Sequence, residues 1–305
     1  MTLGIMELSP TDIALLARGS YAAPVSSAIF RLEGPGAVDC VQGVLTNDVK
    51  SPGTSSLVWG AVLTPKGMII ADCWVRRDGA VLWLIAPASA HTVLADLLRR
   101  SFPPRLVQVA DLSQSHAVRW LNGTVPAEIA GTEIVRPTGV APFTALMITP
   151  DAARTDPLLT LAGVPLASSA LADVACVLLG WPVLGREIDE KTLPQEVRFD
   201  ELGGVRYDKG CYTGQETVAR LHFRGHANRL LRGMQWEGAA GLADATVILG
   251  DKNVGRVSTA ARIDGGLLGL AVLRHEVAVG QQVIAGGAVA EVMSLPFALG
   301  PGAVA

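Results

Sequence analysis

The sequence has few charges, few aromatic residues and no strong net charge: of 305 residues only 17% are charged and 5% aromatic, and the net charge is −3. A chain this close to neutrality has no global field with which to gather nucleic acid by counterion release, so nucleic acid is not an expected partner and any polyanion contact must be local. The four cysteines, Cys40, Cys73, Cys176 and Cys211, include no C-x-x-C pair. That removes the ligand spacing of a zinc or iron–sulfur site held by this chain and offers no disulfide framework, so reduced thiols and no bound metal are expected. Long apolar runs are also missing. Stretches such as Gly266 to Leu273 are far shorter than a bilayer-spanning helix. Met1 to Pro10 carries Glu7 and lacks a basic start followed by an apolar run, so no secretory signal is read there. The expectation is a soluble, cytoplasmic protein with no membrane partner.

What is present is apolar residue and glycine: half the chain is hydrophobic and 33 residues are glycine, the composition of an ordered protein with many turns. The length suits two compact units. Ser27 to Leu32 reads as a short strand, followed after Gly34-Pro35-Gly36 by an apolar-periodic helix that carries Val38, Val41, Val44 and Leu45 and stops around Thr46-Asn47-Asp48. Leu57 to Leu63 and Met68 to Val75, separated by Thr64-Pro65-Lys66-Gly67, form a hairpin signature. Asp78-Gly79 turns the chain into a strand over Ala80 to Ile85. A helix over Ala88 to Arg100 follows Pro87, and three strands follow that helix through Ile148. A helix over Ala167 to Leu179 ends at Gly180-Trp181-Pro182, and a long polar connection runs from Gly185 to Gly210. Beyond Arg229 the chain reads as six short strands with glycine turns, the pattern of a small antiparallel barrel. The boundary is placed near Gly225 to Asn228, giving regions 1–225 and 226–305.

The densest chemical signal is Lys209-Gly210-Cys211-Tyr212-Thr213-Gly214-Gln215-Glu216, continued through Arg220. Glycines on both sides of Cys211 allow a tight turn and the close approach of a ligand. Lys209, pointing inward, would favour a thiolate, and Gln215 and Glu216 add an amide and a carboxylate able to read a polar heterocycle. The plainer alternative is a buried, inert Cys211 at a helix start. Arg220, His222, Arg224, His226, Arg229 and Arg232 form the one concentrated basic stretch. It suits either a solvated linker or a contact with phosphates or a carboxylate tail. Asp72 lies in an apolar run, as a strand-end turn acid or as a partly buried functional carboxylate. Trp59, Trp74 and Trp83, on successive strands, are core residues or the wall of a pocket for a flat ligand.

K-G-C-Y-x-G-Q-E followed by V-A-R is similar to the signature of the YgfZ-like folate-binding proteins, a branch of the aminomethyltransferase (glycine-cleavage T-protein) superfamily. Gly34-Pro35-Gly36-Ala37-Val38, Leu45-Thr46-Asn47-Asp48-Val49 and Leu63 through Asp72 resemble the opening of T-protein, and Asn253 to Ser258 resembles its terminal barrel. The resemblance implies an α+β fold with folate-binding subdomains around a central channel, closed by a small carboxy-terminal antiparallel β-barrel. It also implies tetrahydrofolate as cofactor, and a role in maintaining iron–sulfur enzymes and in tRNA modification, with those client enzymes as partners. Cys211 and Asp72 are then the reacting groups, and Lys209, Tyr212, Gln215, Glu216 and Arg220 the ligand contacts. Two departures bear on this. The paired acids typical of T-protein read Ala71-Asp72, and the pterin-reading R-x-E-x-G segment reads Cys176 to Gly180, which places Leu178 at the carboxylate. Leucine accepts no hydrogen bond, so a folate site here needs another acid, with Glu187, Asp189, Glu190 and Glu196 nearby. An aminomethyltransferase and a small-molecule or RNA-binding module are the alternatives.

Overall fold

Residues 57–63, Leu-Val-Trp-Gly-Ala-Val-Leu, are apolar throughout and all buried, because the strand they form separates two cores. Leu57, Trp59, Ala61 and Leu63 face one core, and Val58 and Val62 face the other, as the two-residue period of a strand requires. In the computed structural model, which describes residues 4–238, 242–263 and 265–298, the chain begins with β1 (Ile5–Glu7), α1 (Pro10–Arg18), β2 (Tyr21–Val25), β3 (Ser27–Glu33) and α2 (Ala37–Gln42). It continues through β4 (Leu57–Leu63), β5 (Ile69–Asp78), β6 (Val81–Pro87), α3 (His91–Ser101), β7 (Gln108–Asp111), β8 (Ala117–Asn122), β9 (Glu133–Val135) and β10 (Ala145–Thr149). Then come α4 (Thr155–Leu161), α5 (Ser169–Leu179), α6 (Gln215–Arg224), β11 (Arg229–Trp236), β12 (Thr246–Leu249), β13 (Lys252–Ile263), β14 (Gly266–Arg274), β15 (Gln282–Ala285) and β16 (Ala288–Met293). Met1 to Leu3, at the head of the stretch read for a signal, and the tail beyond residue 298 lie outside the described residues.

Among the described residues these strands form three sheets. A five-stranded antiparallel sheet has the order β4-β5-β6-β3-β7, and a four-stranded one the order β2-β8-β10-β9. The third runs β13-β12-β15-β16-β11-β14 and closes by the pairing of β14 with β13, giving the expected six-stranded antiparallel barrel. Strand β1 adds to its rim, parallel to β13 and in register with Ala260 to Arg262. The α+β class and the terminal barrel therefore stand as read. Helices α2 and α3 cover one face of the first sheet through Val41, Leu94 and Leu98. The other face joins the second sheet, α5 and the barrel in one shared core. No helix among the described residues is long and apolar enough to cross a membrane.

Helix α5 is tied down at both ends. At its start, Asp12 of α1 accepts hydrogen bonds from the Ser168 amide (2.9 Å) and hydroxyl (2.8 Å). At its end Gly180, left-handed at φ 68°, closes the helix, and the buried guanidinium of Arg198 donates to the Leu179 and Gly180 carbonyls at 2.8 and 2.9 Å. Helix ends leave such carbonyls without intrahelical partners. The long connection 185–210 is thus an ordered strap that supplies this cap. The basic stretch is divided differently from the linker reading: Arg220 to Arg224 belong to α6 and Arg229 and Arg232 to β11.

Candidate functional site

A cavity of about 290 Å³ opens where α5, the first two sheets and the loop after α5 meet, and Asp72, Trp74, Trp120, Trp181, Asp173 and Arg186 are in its wall. Each comes from a regular feature. Asp72 and Trp74 share one face of β5, two residues apart. Ser169, Ala172, Asp173 and Cys176 line the cavity at the i, i+3, i+4 and i+7 positions of α5, which is one stripe of a helix. Gly180 turns the chain so that Trp181 and Pro182 close the next side. The three tryptophans serve different ends. Trp74 and Trp181 are stacked (5.6 Å, 9° between planes). Trp59 sits behind them, 4.1 Å from Trp181 and 4.0 Å from Phe199, and is core. Trp83 packs on His116, away from this wall.

Asp72 is 6% exposed. Its Oδ2 accepts from Trp59 Nε1 at 3.1 Å, while Oδ1 is buried with no partner among the described residues. Burial raises its pKa to about 6, because a carboxylate with one hydrogen bond is poorly compensated for lost water. A carboxylate oxygen buried without a partner is a costly feature that a fold seldom keeps without a use. The second acid is Asp173, paired with Arg186 at 2.7 Å. Burial also pushes the Cys176 thiol up, so it is a neutral wall group rather than a nucleophile.

The thiol-centred segment lies elsewhere. Lys209, Tyr212, Gln215, Glu216 and Arg220 are not in the cavity wall, and neither is Cys211. Lys209 Nζ donates to the carbonyls of Gln42, Leu45 and Asn47 at 2.7, 2.6 and 2.9 Å. Its donors are therefore spent on the end of α2 instead of promoting a Cys211 thiolate, and burial lowers its pKa to about 8. Tyr212 is buried in the shared core. The Gln215 carboxamide accepts the Tyr212 amide at 3.0 Å and so closes the turn. Glu216 and Arg220 are exposed on α6, and Cys211 is exposed before it. Cys211 is thus exposed and not in the cavity wall: of the two residues expected as reacting groups, Asp72 lines the cavity and Cys211 does not. Replacing Lys209 with methionine is expected to leave three carbonyls short of donors and to lower stability by about 2–4 kcal/mol, measured as a fall in the urea-unfolding midpoint.

Leu178 is buried but not in the wall. Two residues after Cys176 it lies about 200° round the helix, and its carbonyl accepts from the Phe297 amide at 2.9 Å. None of Glu187, Asp189, Glu190 and Glu196 reaches the cavity. Glu187 accepts from Thr259 Oγ1 at 2.5 Å and Glu196 from Arg229 at 2.9 Å. The acid that does reach it, Asp173, and its partner Arg186 were missed by the sequence reading. The i, i+3, i+4, i+7 stripe of α5 was the available signal.

No family model matches the sequence. The chain is 26% identical over 225 residues to the tRNA-modifying protein YgfZ of Vibrio vulnificus, covering 70% of this chain and 69% of that one. It is 23% identical over 293 residues to the YgfZ of Aliivibrio fischeri, covering 89% and 90%. A mitochondrial iron-sulfur cluster assembly factor IBA57 homolog of Mycosarcoma maydis is 27% identical over 221 residues, 65% of this chain and 52% of that one. Among solved structures, the glycine cleavage system aminomethyltransferase T of Bartonella henselae superposes with a TM-score of 0.79 at 18% identity, covering 94% of this chain and 88% of that one. The chain is YgfZ-like and has the T-protein fold. The fold class implied by the resemblance is thereby borne out.

Proposed function

We propose that the tryptophan-walled cavity of this YgfZ-like chain binds tetrahydrofolate, and that the protein supports assembly or repair of iron–sulfur enzymes, including enzymes of tRNA modification. The observation that carries the folate reading is the unpartnered Asp72 Oδ1 in a wall of stacked indoles. A pterin is a flat heterocycle edged with N–H donors, so stacking on Trp74 and Trp181 and donation to Asp72 answer the same ligand. Asp173 is the second acceptor, in a place Leu178 does not occupy. The bound cofactor would bring one-carbon chemistry, and the chain's own residues hold it, keep water out and present one carboxylate. The relatives' names support the iron–sulfur and tRNA part, and the exposed Cys211 is the group proposed to act on clients, outside the cavity.

Calorimetric titration with tetrahydrofolate tests the cavity: saturable one-to-one binding is expected, weakened roughly 5- to 150-fold by Asp173→Ala. Absence of binding at millimolar ligand would overturn it. Complementation of a strain lacking its YgfZ-like protein tests the thiol separately. Cys211→Ala should fail to rescue while binding tetrahydrofolate normally, and full rescue removes the thiol from the function. The second reading, an aminomethyltransferase, draws on the T-protein fold together with the buried carboxylate at position 72, since amine chemistry needs an aligned acid or base. Methylene-tetrahydrofolate formed from a lipoyl-carried aminomethyl donor would put that reading first.

A further inference from the structure

Helix α6 presents a face that the cavity does not use. Val218 is its buried position. At about 100° per residue, Arg220 points to the opposite side, with Phe223 about 60° to one flank and Arg224 about 40° to the other. Both arginines are exposed, and among the described residues neither has an ion-pair or hydrogen-bond partner. A third such cation is brought alongside by the β4–β5 hairpin tip. Gly67 packs so closely on α6 that a Cβ there would lie 2.8 Å from Thr217 Cβ, which sets the exposed, unpaired Lys66 next to the first turn of α6, on the Arg224 side but about two turns before it. Phe223 is 68% exposed yet held, its ring edge-on to Tyr207 at 5.8 Å and to His222 at 4.7 Å. His222 is stacked on Tyr207 at 3.7 Å, with its Nδ1 3.5 Å from Asp200.

A lone exposed phenyl ring needs no explanation. One fixed beside two unpaired arginines, with a third cation at the neighbouring hairpin tip, does, because cations that track a backbone beside an aromatic platform are what a nucleic acid strand with free base faces requires. A duplex offers the phosphates but hides its base faces, and an acidic polypeptide would engage the cations without using the ring. Glu216 lies on the same face one turn before Arg220, so the phosphate contacts made by α6 itself fall on its C-terminal half. The net charge of −3 argues against a global field, not against this local one. We infer that this face docks single-stranded nucleic acid, with Lys66, Arg220 and Arg224 on phosphates and Phe223 stacked on a base. The inference is independent of what fills the cavity.

Fluorescence anisotropy with a labelled single-stranded oligouridylate, titrated at increasing salt, is the test. Saturable binding is expected, with log K falling against log salt at a slope of about −2 for three phosphate contacts. Arg220→Ala with Arg224→Ala should reduce that slope by about 1.4, whereas the double lysine variant should keep it. Phe223→Ala should weaken binding roughly 5- to 150-fold with the slope unchanged. No binding at low salt, equal affinity for a duplex, equal affinity for polyglutamate, or indifference to these substitutions would each overturn the inference.

Discussion

Asp72→Asn is expected to make the unliganded protein more stable at neutral pH while stripping the cavity of its main acceptor. The sign follows from linkage. Folding raises the Asp72 pKa from its ordinary 3.8 to about 6, so the folded state favours the protonated acid. Well below pH 4 the acid is neutral in both states and costs nothing; between about 4 and 6 the unfolded chain ionises while the fold still holds the proton, so stability falls, by about 3 kcal/mol in total once the pH exceeds 6. Asparagine mimics the neutral acid at every pH. The variant's thermal midpoint should therefore exceed the parent's on the order of 5 °C above pH 7 and converge with it near pH 4. Ligand binding should move the other way. The parent's affinity for tetrahydrofolate, read by calorimetry across the same range, should fall as pH drops through about 6, where the acceptor is lost, and the variant's should be weaker and flat. A variant no more stable than the parent at neutral pH would mean that Asp72 is compensated by a donor already in place, and the cavity would lose its strongest claim to a ligand.

That a buried charge is retained against stability is the pattern of a functional site, and it explains which parts of the site were legible beforehand. A carboxylate inside Ile69-Ile70-Ala71-Asp72-Cys73-Trp74-Val75 has no business in an apolar strand unless something needs it, so Asp72 stood out. Asp173 did not, because on a helix an acid one turn before a buried residue looks like any solvated acid, and Arg186 is 13 residues further on. Their meeting is a product of the Gly180 turn and the strap behind it. The same distinction runs through the fold. The β4–β5 hairpin and the barrel strands announce themselves through local periodicity and glycine turns, as does α5 through its apolar stripe and αL stop. Strand β1 has no local signal, since its partner is Ala260 to Arg262, at the far end of the chain. Helix α6 has Val218 as its one buried position and so shows no apolar periodicity, which is why its basic residues suit a solvated linker as well as a helix.

The two glycines near Cys211 looked equivalent in the sequence, and the structure makes them opposites, which yields the second large effect. Gly214 is left-handed at φ 83°, and a Cβ there would sit 2.5 Å from the Thr64 carbonyl oxygen and 3.1 Å from Gly67 Cα. The turn that starts α6 is thereby pressed against the tip of the β4–β5 hairpin, backbone on backbone, with Gly67, itself at φ 85°, as the other half of the contact. Alanine at 214 would meet both a conformational penalty of about 1–2 kcal/mol and a clash with main chain, which cannot rotate away as a side chain can. Gly214→Ala should lower the unfolding free energy by about 3 kcal/mol or more. Gly210 has no positive φ and nothing within 4 Å of its Cβ position. Gly210→Ala should be neutral, or stabilising by about 0.4–1 kcal/mol through the unfolded chain. Urea midpoints of the two variants decide the matter: no loss at 214 would leave the approach of a ligand to Cys211 as the role of that glycine, whereas loss at 214 alone makes the turn a docking joint that sets the exposed thiol and α6 against the hairpin.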